Sequence, residues 1–224
     1  MIDVLRASTT IVTALDHGAA WVAPRAALEE ARRLAAATGA LLGGERGGLR
    51  QEGFDLGNSP LEYTRDRLGG RPVVITTTNG TAALAACAAA REVLVGALVN
   101  RHAVAAVARD LAGPDGAVHL VCAGTDGVVT EEDRLAAGAM LDAAVAAGDV
   151  CDAAAGAARD DFRRLDGGDV ASRLVAALRR SRGGCNLLAL GMDADVEACA
   201  RLDVSDVVPR LDRATGRLVF ARPF

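Results

Sequence analysis

Three carboxylates in this sequence stand where a short apolar segment ends or a helix begins, and together they could bind a metal ion. They are Asp3, Glu45 and Asp133. Mg²⁺ takes oxygen ligands, usually one or two carboxylates together with water and phosphate oxygens. Arg6 and Arg46 lie close to two of these carboxylates along the chain, and guanidinium groups bind phosphate oxygens through paired hydrogen bonds. These residue types indicate a site for a phosphorylated acid and Mg²⁺.

A second candidate anion site is the run Thr-Thr-Thr-Asn-Gly-Thr at residues 76–81. It follows residues 73–75, which are β-branched and typical of a buried strand, and it precedes residues 82–90, which are alanine-rich and favour a helix. A helix N-terminus presents unpaired N–H groups and a partial positive charge, so it attracts anions. Asn79 is also a good helix cap, so the run is consistent with a binding turn or with a simple cap.

The elements that must position these residues alternate between strands and helices. Strands are predicted at residues 1–5, 21–23, 40–43, 73–75, 92–95 and 117–122, helices at 6–18, 26–38, 82–90, 100–111, 130–147, 152–165 and 170–180, and a hairpin at 204–211 and 218–221. The alternation predicts an α/β fold, with three α/β/α layers, a largely parallel or mixed sheet, and a helical C-terminal part followed by a short hairpin. We expect one domain over residues 1–224, with a C-terminal lobe from about residue 150 as the alternative.

In such a sheet, polar residues that follow the strands meet at one edge. Open α/β sheets bind ligands in the crevice outside the carboxyl ends of their strands. Asn100 and Gly124 follow two further predicted strands and so join the candidate site. Residues 44–58 are glycine-rich and lack apolar periodicity, which predicts a functional loop, and Ser59 and Glu62 then give a helix-start pattern.

The composition limits the classes of protein to which this chain can belong. Hydrophobic residues make up 51% and aromatic residues 3% of the 224 positions, so the core must be built from Ala, Val and Leu. The formal net charge of −4 argues against a general nucleic-acid-binding or membrane-surface protein. The five cysteines lack the spacing of a disulfide framework or a zinc site. We find no signal peptide and no apolar run that could cross a bilayer, which predicts a cytoplasmic protein.

Signatures of common phosphatase classes are absent or weak. Leu5 occupies the position of the second aspartate of the aspartyl-phosphate phosphatases, and Val128 occupies the position of the arginine that would follow a catalytic Cys122. Arg101 and His102 match only two residues of the Arg-His-Gly motif of the histidine phosphatases.

Some candidates also have simple structural interpretations. One alternative role for Asp3 is simply to cap the helix that follows it. For Glu131, Glu132 and Asp133 the alternative is a favourable interaction with the helix dipole, and for Arg46 it is a solvated charge in a loop.

Several longer motifs occur in a fixed order. They are D-V-L-R-A-S-T-T at residues 3–10, G-E-R-G-G at 44–48, G-F-D-L-G-N-S-P-L-E-Y at 53–63, T-T-T-N-G-T at 76–81 and C-A-G at 122–124. In order and spacing they resemble the 2-phosphosulfolactate phosphatase family over about residues 2–138, and more weakly around residues 187–195. Members of that family carry most of a first strand before the first motif, so with two residues ahead of Asp3 we expect a shortened first strand.

The resemblance implies a Mg²⁺-dependent phosphatase that converts 2-phospho-3-sulfolactate to 3-sulfolactate and phosphate, a step of coenzyme M synthesis. From the residue types we expect catalytic roles for Asp3, Arg6, Glu45 and Arg46, and metal ligation by carboxylates among Asp3, Glu45 and Asp133. The residues implied for substrate binding are Ser8, Thr9, Asn58, Ser59, Thr78, Asn79, Gly80, Thr81, Asn100 and Gly124. Two nucleophiles stay open, a metal-activated water and a carboxylate.

Other functions also stay open on the sequence alone. One is a phosphatase for another small phosphocarboxylate. A non-catalytic protein that binds anionic metabolites and a structural protein are the alternatives from other classes. The expected partner is a small anionic phosphorylated substrate, with neither nucleic acid nor membrane, and a homodimer is an open option.

Overall fold

Six strands form one mixed sheet in the computed structural model, which describes residues 1–146, 149–165 and 169–221. The strands are β1 (Val22–Pro24), β2 (Leu41–Arg46), β3 (Leu49–Arg50), β4 (Val73–Thr76), β5 (Val208–Asp212) and β6 (Arg217–Ala221). Their order across the sheet is β3-β2-β4-β1-β6-β5. β2, β4 and β1 run parallel, whereas the β2–β3, β1–β6 and β5–β6 pairs are antiparallel. The predicted α/β fold with a mixed sheet is confirmed, and so is the C-terminal hairpin.

Helices account for most of the remaining regular structure. They are α1 (Ala7–Asp16), α2 (Leu28–Thr38), α3 (Arg65–Leu68), α4 (Gly80–Ala86), α5 (Arg101–Ala112), α6 (Glu131–Ala144), α7 (Ala153–Arg163), α8 (Val170–Arg180), α9 (Arg182–Ala189) and α10 (Asp193–Cys199). The helix predicted over residues 130–147 ends at Ala144, and residue 147 lies outside the described residues. Within the described ranges, every helix is too short or too polar to cross a membrane. The prediction of one domain over the whole chain stays a prediction.

Two predicted strands do not form as regular strands. Residues 92–95 lie beside β5, where Val95 N–H donates to the Pro209 carbonyl at 2.9 Å, but their only bridge is the isolated one between Leu94 and Arg210. In residues 117–122, Cys122 alone forms a bridge. The first three residues of this segment are exposed, so they have no neighbouring strand with which to complete a ladder.

The first residues of the chain extend this irregular part of the sheet. Ile2 bridges both Gly96 and Cys122 in parallel register, and its own side chain is 1% exposed. The predicted first strand is therefore reduced to one residue with two partners. Because the backbone of Ile2 is paired with two neighbouring segments, Asp3 lies directly after a fixed position of the chain.

The glycine-rich segment predicted as a loop over residues 44–58 contains a small hairpin. β2 extends to Arg46, and Gly47 and Gly48 form the turn to β3 with φ values of 60° and 83°. Only glycine adopts such angles readily, so the glycines that suggested a loop instead make a tight turn possible. The segment after Arg182, which shows no clear sequence pattern, folds into α9 and α10.

Aliphatic side chains build most of the core, as the composition requires. Two large apolar clusters form, one including Ile11, Tyr63 and Ile75 and the other including Leu98 and Leu174. Small residues also let helices approach closely. A Cβ atom on Gly138 of α6 would lie 2.0 Å from the Ala158 carbonyl oxygen of α7. Close helix packing therefore compensates for the scarcity of aromatic side chains.

The turn between β4 and α4 is fixed differently from the sequence-based expectation. Asn79 occupies the N-cap position, but its side chain makes no capping hydrogen bond, so that expectation is wrong. Thr77 caps the start of α4 instead, because its Oγ1 accepts the Thr81 N–H at 3.2 Å and its carbonyl accepts the Thr81 hydroxyl at 2.9 Å. The side chain of Asn79 is thus left free of any structural role at the helix start.

We expect Thr77→Ala to lower the free energy of unfolding by about 1 kcal/mol, as for loss of a helix cap. Asn79→Ala is the matched comparison and should change stability by less than about 0.5 kcal/mol. Urea unfolding of the two variants measures both values. Equal destabilisation by the two substitutions would contradict this assignment.

Candidate active site

A cleft of about 490 Å³ opens at the carboxyl ends of β2 and β4. Its walls come from the segment before α1, the β2–β3 hairpin, the turn after β4, the start of α6 and one face of α9. The lining residues are Asp3, Leu5, Arg6, Glu45, Gly47, Gly48, Asn58, Thr78, Asn79, Gly124, Thr125, Asp126, Glu132, Asp133, Gly183, Asn186, Leu187, Ala189 and Leu190. The position agrees with the rule that open α/β sheets bind ligands outside their strand ends.

Asp133 and Asp3 form the floor of the cleft. Asp133, which is 3% exposed, accepts the Val4 N–H on Oδ1 at 2.8 Å and the Gly124 N–H on Oδ2 at 2.9 Å. Asp3 accepts the Ala7 N–H at 3.3 Å. One Asp133 side chain therefore joins the first segment of the chain to the turn before α6.

These two carboxyl groups have raised pKa values. Burial, followed by the charge of Asp3, raises the pKa of Asp133 to about 8. Burial, with Glu45 and Glu132 as further negative neighbours, raises the pKa of Asp3 to about 6. Desolvation and like charges both disfavour the ionised form. In the protein without a bound cation, Asp133 therefore retains its proton at neutral pH.

Glu45 is held rigidly at the end of β2. Its Oε1 accepts the Thr78 N–H at 2.7 Å, and its Oε2 accepts the Gly48 N–H at 2.6 Å and the Thr78 hydroxyl at 3.2 Å. Glu45 is 7% exposed. Its carboxylate thus links the β2–β3 turn to the turn after β4, on the floor of the same cleft.

Two buried oxygens in the cleft have no hydrogen-bond partner in the described structure. They are Oε2 of Glu132 and Oδ1 of Asn58, whose residues are 3% and 5% exposed. The other Glu132 oxygen accepts the Gly183 N–H at 3.1 Å. Buried polar atoms are normally paired, so these two oxygens are free to accept a hydrogen bond or to contact a cation.

Arg6 is the cleft's guanidinium group, and it is 3% exposed. Its Nη1 donates to Asp195 Oδ2 at 2.6 Å and to Met192 Sδ at 2.9 Å, and its Nη2 donates to the Gly48 carbonyl at 2.7 Å. The predicted residue therefore reaches the cleft, but most of its charge is balanced by Asp195.

Arg46 and Asn100 are not brought into the cleft. The Arg46 guanidinium binds the Glu45 and Ala26 carbonyls and the Thr76 hydroxyl. Asn100 is 1% exposed, and its amide bonds the Ala97 N–H at 2.9 Å and the carbonyl of residue 207 at 2.8 Å. Both side chains are used to connect backbone segments.

Four hydroxyl residues implied for substrate binding support the site without lining it. Ser8 bonds the Asp3 backbone, Thr9 the Val4 carbonyl, Ser59 the Asp195 carboxylate and Thr81 the Thr77 carbonyl. Gly80 also lies outside the lining, yet it touches Asp3. A Cβ at this position would lie 2.5 Å from Asp3 Oδ2, so only glycine leaves room for that carboxylate.

Sequence reasoning did not select Glu132, Asp195 or the α9 residues. Glu132 directly precedes a selected residue, and its helix-dipole interpretation concealed it. Like Asp3, it needs a neighbouring glycine, since a Cβ on Gly183 would lie 2.4 Å from Glu132 Oε1. The weak family resemblance around residues 187–195 was the only signal for the α9 wall, because its hydrogen bond to the cleft joins residues 51 positions apart, Gly183 and Glu132.

The charges of the cleft are strongly unbalanced. Four carboxylates, those of Asp3, Glu45, Glu132 and Asp133, face one guanidinium among the described lining residues, apart from the exposed Asp126, which pairs with Arg182. Such a cleft attracts cations and repels anions. Within the described ranges, however, no three His, Cys, Asp or Glu side chains already form a metal-binding group. Mg²⁺ does not require one, since it retains several waters.

The fold and the cleft together define an α/β protein with an acidic, cation-attracting ligand site at its strand ends. Residues 1–214 match the 2-phosphosulpholactate phosphatase family, and the chain belongs to that family. The resemblance seen in its motifs is thereby confirmed.

Relatives cover almost the whole chain. The probable 2-phosphosulfolactate phosphatase of Deinococcus radiodurans is 46% identical over 215 residues, which are 94% of this chain and 86% of that protein. The proteins of the same name from Symbiobacterium thermophilum and Carboxydothermus hydrogenoformans are 42% and 39% identical, over 93% and 98% of this chain and 88% of each relative.

The raised pKa values predict that the cation-free protein loses stability as the pH rises. Unfolded aspartate has a pKa near 3.8, so between that value and about 8 the folded state binds more protons than the unfolded state. The free energy of unfolding must then decrease with increasing pH across this window. We expect a lower Tm at about pH 8 than at about pH 5 in EDTA.

Asp133→Asn is the control for this pH dependence, because an amide does not titrate. Its Tm should depend less on pH than that of the wild type. An equal slope in both proteins would show that the buried carboxyl groups are not the cause.

Proposed function

We propose that this protein is a Mg²⁺-dependent phosphatase that hydrolyses 2-phospho-3-sulfolactate to 3-sulfolactate and phosphate, a coenzyme M biosynthesis-type step. The observation that carries the proposal is a cleft with four clustered carboxylates and two unpartnered buried oxygens, in a chain that belongs to this family. The cytoplasmic location, the homodimer and the absence of nucleic-acid and membrane partners stay predictions from the sequence.

Electrostatics supports the need for a cation. The proposed substrate carries a phosphate, a sulfonate and a carboxylate, and all three are anionic at neutral pH. Two like charges about 4 Å apart repel by roughly 4 kcal/mol at an effective dielectric constant near 20. A substrate with several such contacts cannot bind beside Asp3, Glu45 and Asp133 unless a cation is present or the carboxyl groups are protonated.

The donors in the cleft suit Mg²⁺. Asp3, Glu45 and Asp133 would hold it, and the unpartnered Glu132 Oε2 and Asn58 Oδ1 offer further oxygen ligands, directly or through water. When bound, the ion would neutralise phosphate charge and lower the pKa of a coordinated water. The backbone N–H bonds to Asp133 and Glu45 keep these carboxylates in place whether or not the ion is present.

The remaining cleft groups would bind the substrate's anionic parts. Arg6 has five N–H donors, of which three have protein partners in the described structure, which leaves two for an anion. Thr78 and Asn79 also line the cleft and offer a hydroxyl, which donates to Glu45 Oε2 at 3.2 Å, and an amide. Phosphoryl transfer depends mainly on such positioning and charge neutralisation.

Phosphate release from a panel of substrates tests the proposal. The panel contains 2-phospho-3-sulfolactate, phospholactate, phosphoglycolate and phosphoserine, each with Mg²⁺ and with EDTA. We expect the highest kcat/KM for 2-phospho-3-sulfolactate. We also expect no phosphate release in EDTA until Mg²⁺ is restored. Full activity after complete chelation would contradict the metal requirement, and a preferred phosphocarboxylate would change the assigned substrate.

Arg6→Ala should reduce kcat/KM roughly 10- to 150-fold. This corresponds to a loss of about 1.5–3 kcal/mol of transition-state stabilisation, as expected for one charge-assisted contact. It should also lower stability, because buried Asp195 loses its counter-ion, so rates must be compared per folded molecule. Arg46→Ala is the matched control and should keep kcat/KM within about threefold. A larger effect for Arg46 than for Arg6 would return Arg46 to the catalytic group.

A further inference from the structure

A buried ion pair joins the cleft to the C-terminal helices. Arg6 Nη1 and Asp195 Oδ2 are 2.6 Å apart, and their side chains are 3% and 5% exposed. The second oxygen of Asp195 accepts the Ser59 hydroxyl at 2.6 Å. Asp195 lies in α10, does not line the cleft, and has both oxygens engaged.

This pair decides which Arg6 donors can face a ligand. Asp195 and Met192 take the two Nη1 hydrogens, and the Gly48 carbonyl takes one from Nη2. Nε–H and the second Nη2–H have no partner among the described residues. A guanidinium binds an oxyanion best through two donors in a fixed plane, and the contact with Asp195 restricts the rotation of that plane.

We propose that Asp195 is the positioning residue for Arg6 and that Ser59 in turn orients Asp195. The inference rests on the proposed function, in which Arg6 binds an anionic group of the substrate. Stability alone does not account for the pair, because buried ion pairs often stabilise a fold no more than apolar side chains of similar volume. Orientation of a donor that would otherwise be free to rotate does account for it.

A competing account makes the opposite prediction. If Asp195 only neutralised Arg6, its removal would free the positive charge, and anions would bind more tightly. If Asp195 positions Arg6, its removal weakens anion binding even though the charge of the cleft becomes less negative. The two accounts therefore differ in the sign of the effect.

The first experiment compares kcat/KM for Asp195→Ala and Asp195→Asn. The alanine variant should lose roughly 10- to 100-fold, as for a lost charge-assisted contact, with an increase in KM. Asparagine can still accept from Arg6 and donate to Ser59, so it should restore kcat/KM to within about fivefold of the wild type. Unchanged or increased kcat/KM in both folded variants would overturn the proposal.

Asp193→Ala is the matched control. Asp193 also lies in α10 and pairs with an arginine, Arg179 at 2.7 Å, but this pair is exposed and outside the cleft. Its loss should change kcat/KM by less than about twofold. An equal loss in Asp193→Ala and Asp195→Ala would assign both to docking of α10 and overturn a positioning role.

A double-mutant cycle isolates the path through Arg6. If Asp195 acts on the reaction only through Arg6, then Arg6→Ala/Asp195→Ala should have the same kcat/KM as Arg6→Ala. Additive losses would overturn the proposal. If Asp195→Ala does not fold, Ser59→Ala supplies the same cycle, since it removes one hydrogen bond from Asp195 and leaves the ion pair.

Binding of inorganic phosphate separates this inference from the proposed function. Calorimetric titration of the wild type and Asp195→Ala with phosphate, in the presence of Mg²⁺, needs no turnover. Weaker binding by Asp195→Ala supports the positioning role even if the wild type hydrolyses no member of the substrate panel. Equal or tighter binding overturns it even if the phosphatase activity is confirmed.

Discussion

The structure depends on keeping several carboxylates together in a partly buried cleft. Burial raises the pKa of both Asp3 and Asp133, the charges of Glu45 and Glu132 raise that of Asp3 further, and the charges of Asp3 and Glu132 raise that of Asp133 further. Such an arrangement opposes folding unless hydrogen bonds and protons, or a cation, compensate for it. Backbone N–H groups from five segments, those of Val4, Gly48, Thr78, Gly124 and Gly183, supply the hydrogen bonds in the protein alone. The electrostatic imbalance that remains makes the cleft attract cations.

Two glycines make this clustering sterically possible. A side chain at Gly80 would collide with Asp3, and a side chain at Gly183 would collide with Glu132. Gly80 belongs to the turn after β4, whereas Gly183 lies at the start of α9. The N-terminal and C-terminal parts of the chain therefore each provide space for a different acidic side chain. The cleft needs both parts in order to form.

The C-terminal helices contribute to the site by supporting residues that come from other parts of the chain. Asp195 holds Arg6, and Gly183 holds Glu132. α10 thus orients the cleft's guanidinium, while α9 fixes a carboxylate and closes one wall. This division explains how the less distinctive third of the sequence can matter to the chemistry, since charge-bearing groups act only when their orientation is fixed.

Sequence alone determined the α/β class, the strand that becomes β4, most helices and eight residues that line the cleft, including Asp3, Arg6, Glu45 and Asp133. These follow from local propensity, from periodicity and from motifs of contiguous residues. Tertiary structure decided that Arg46 and Asn100 bond to backbone, that Thr77 replaces Asn79 as the cap, and that Asp195 pairs with Arg6. Residues 6 and 195 come into contact only in the assembled fold of the sheet and α10. A hydrogen bond depends on the distance between two atoms in space, and their separation along the chain does not reveal that distance.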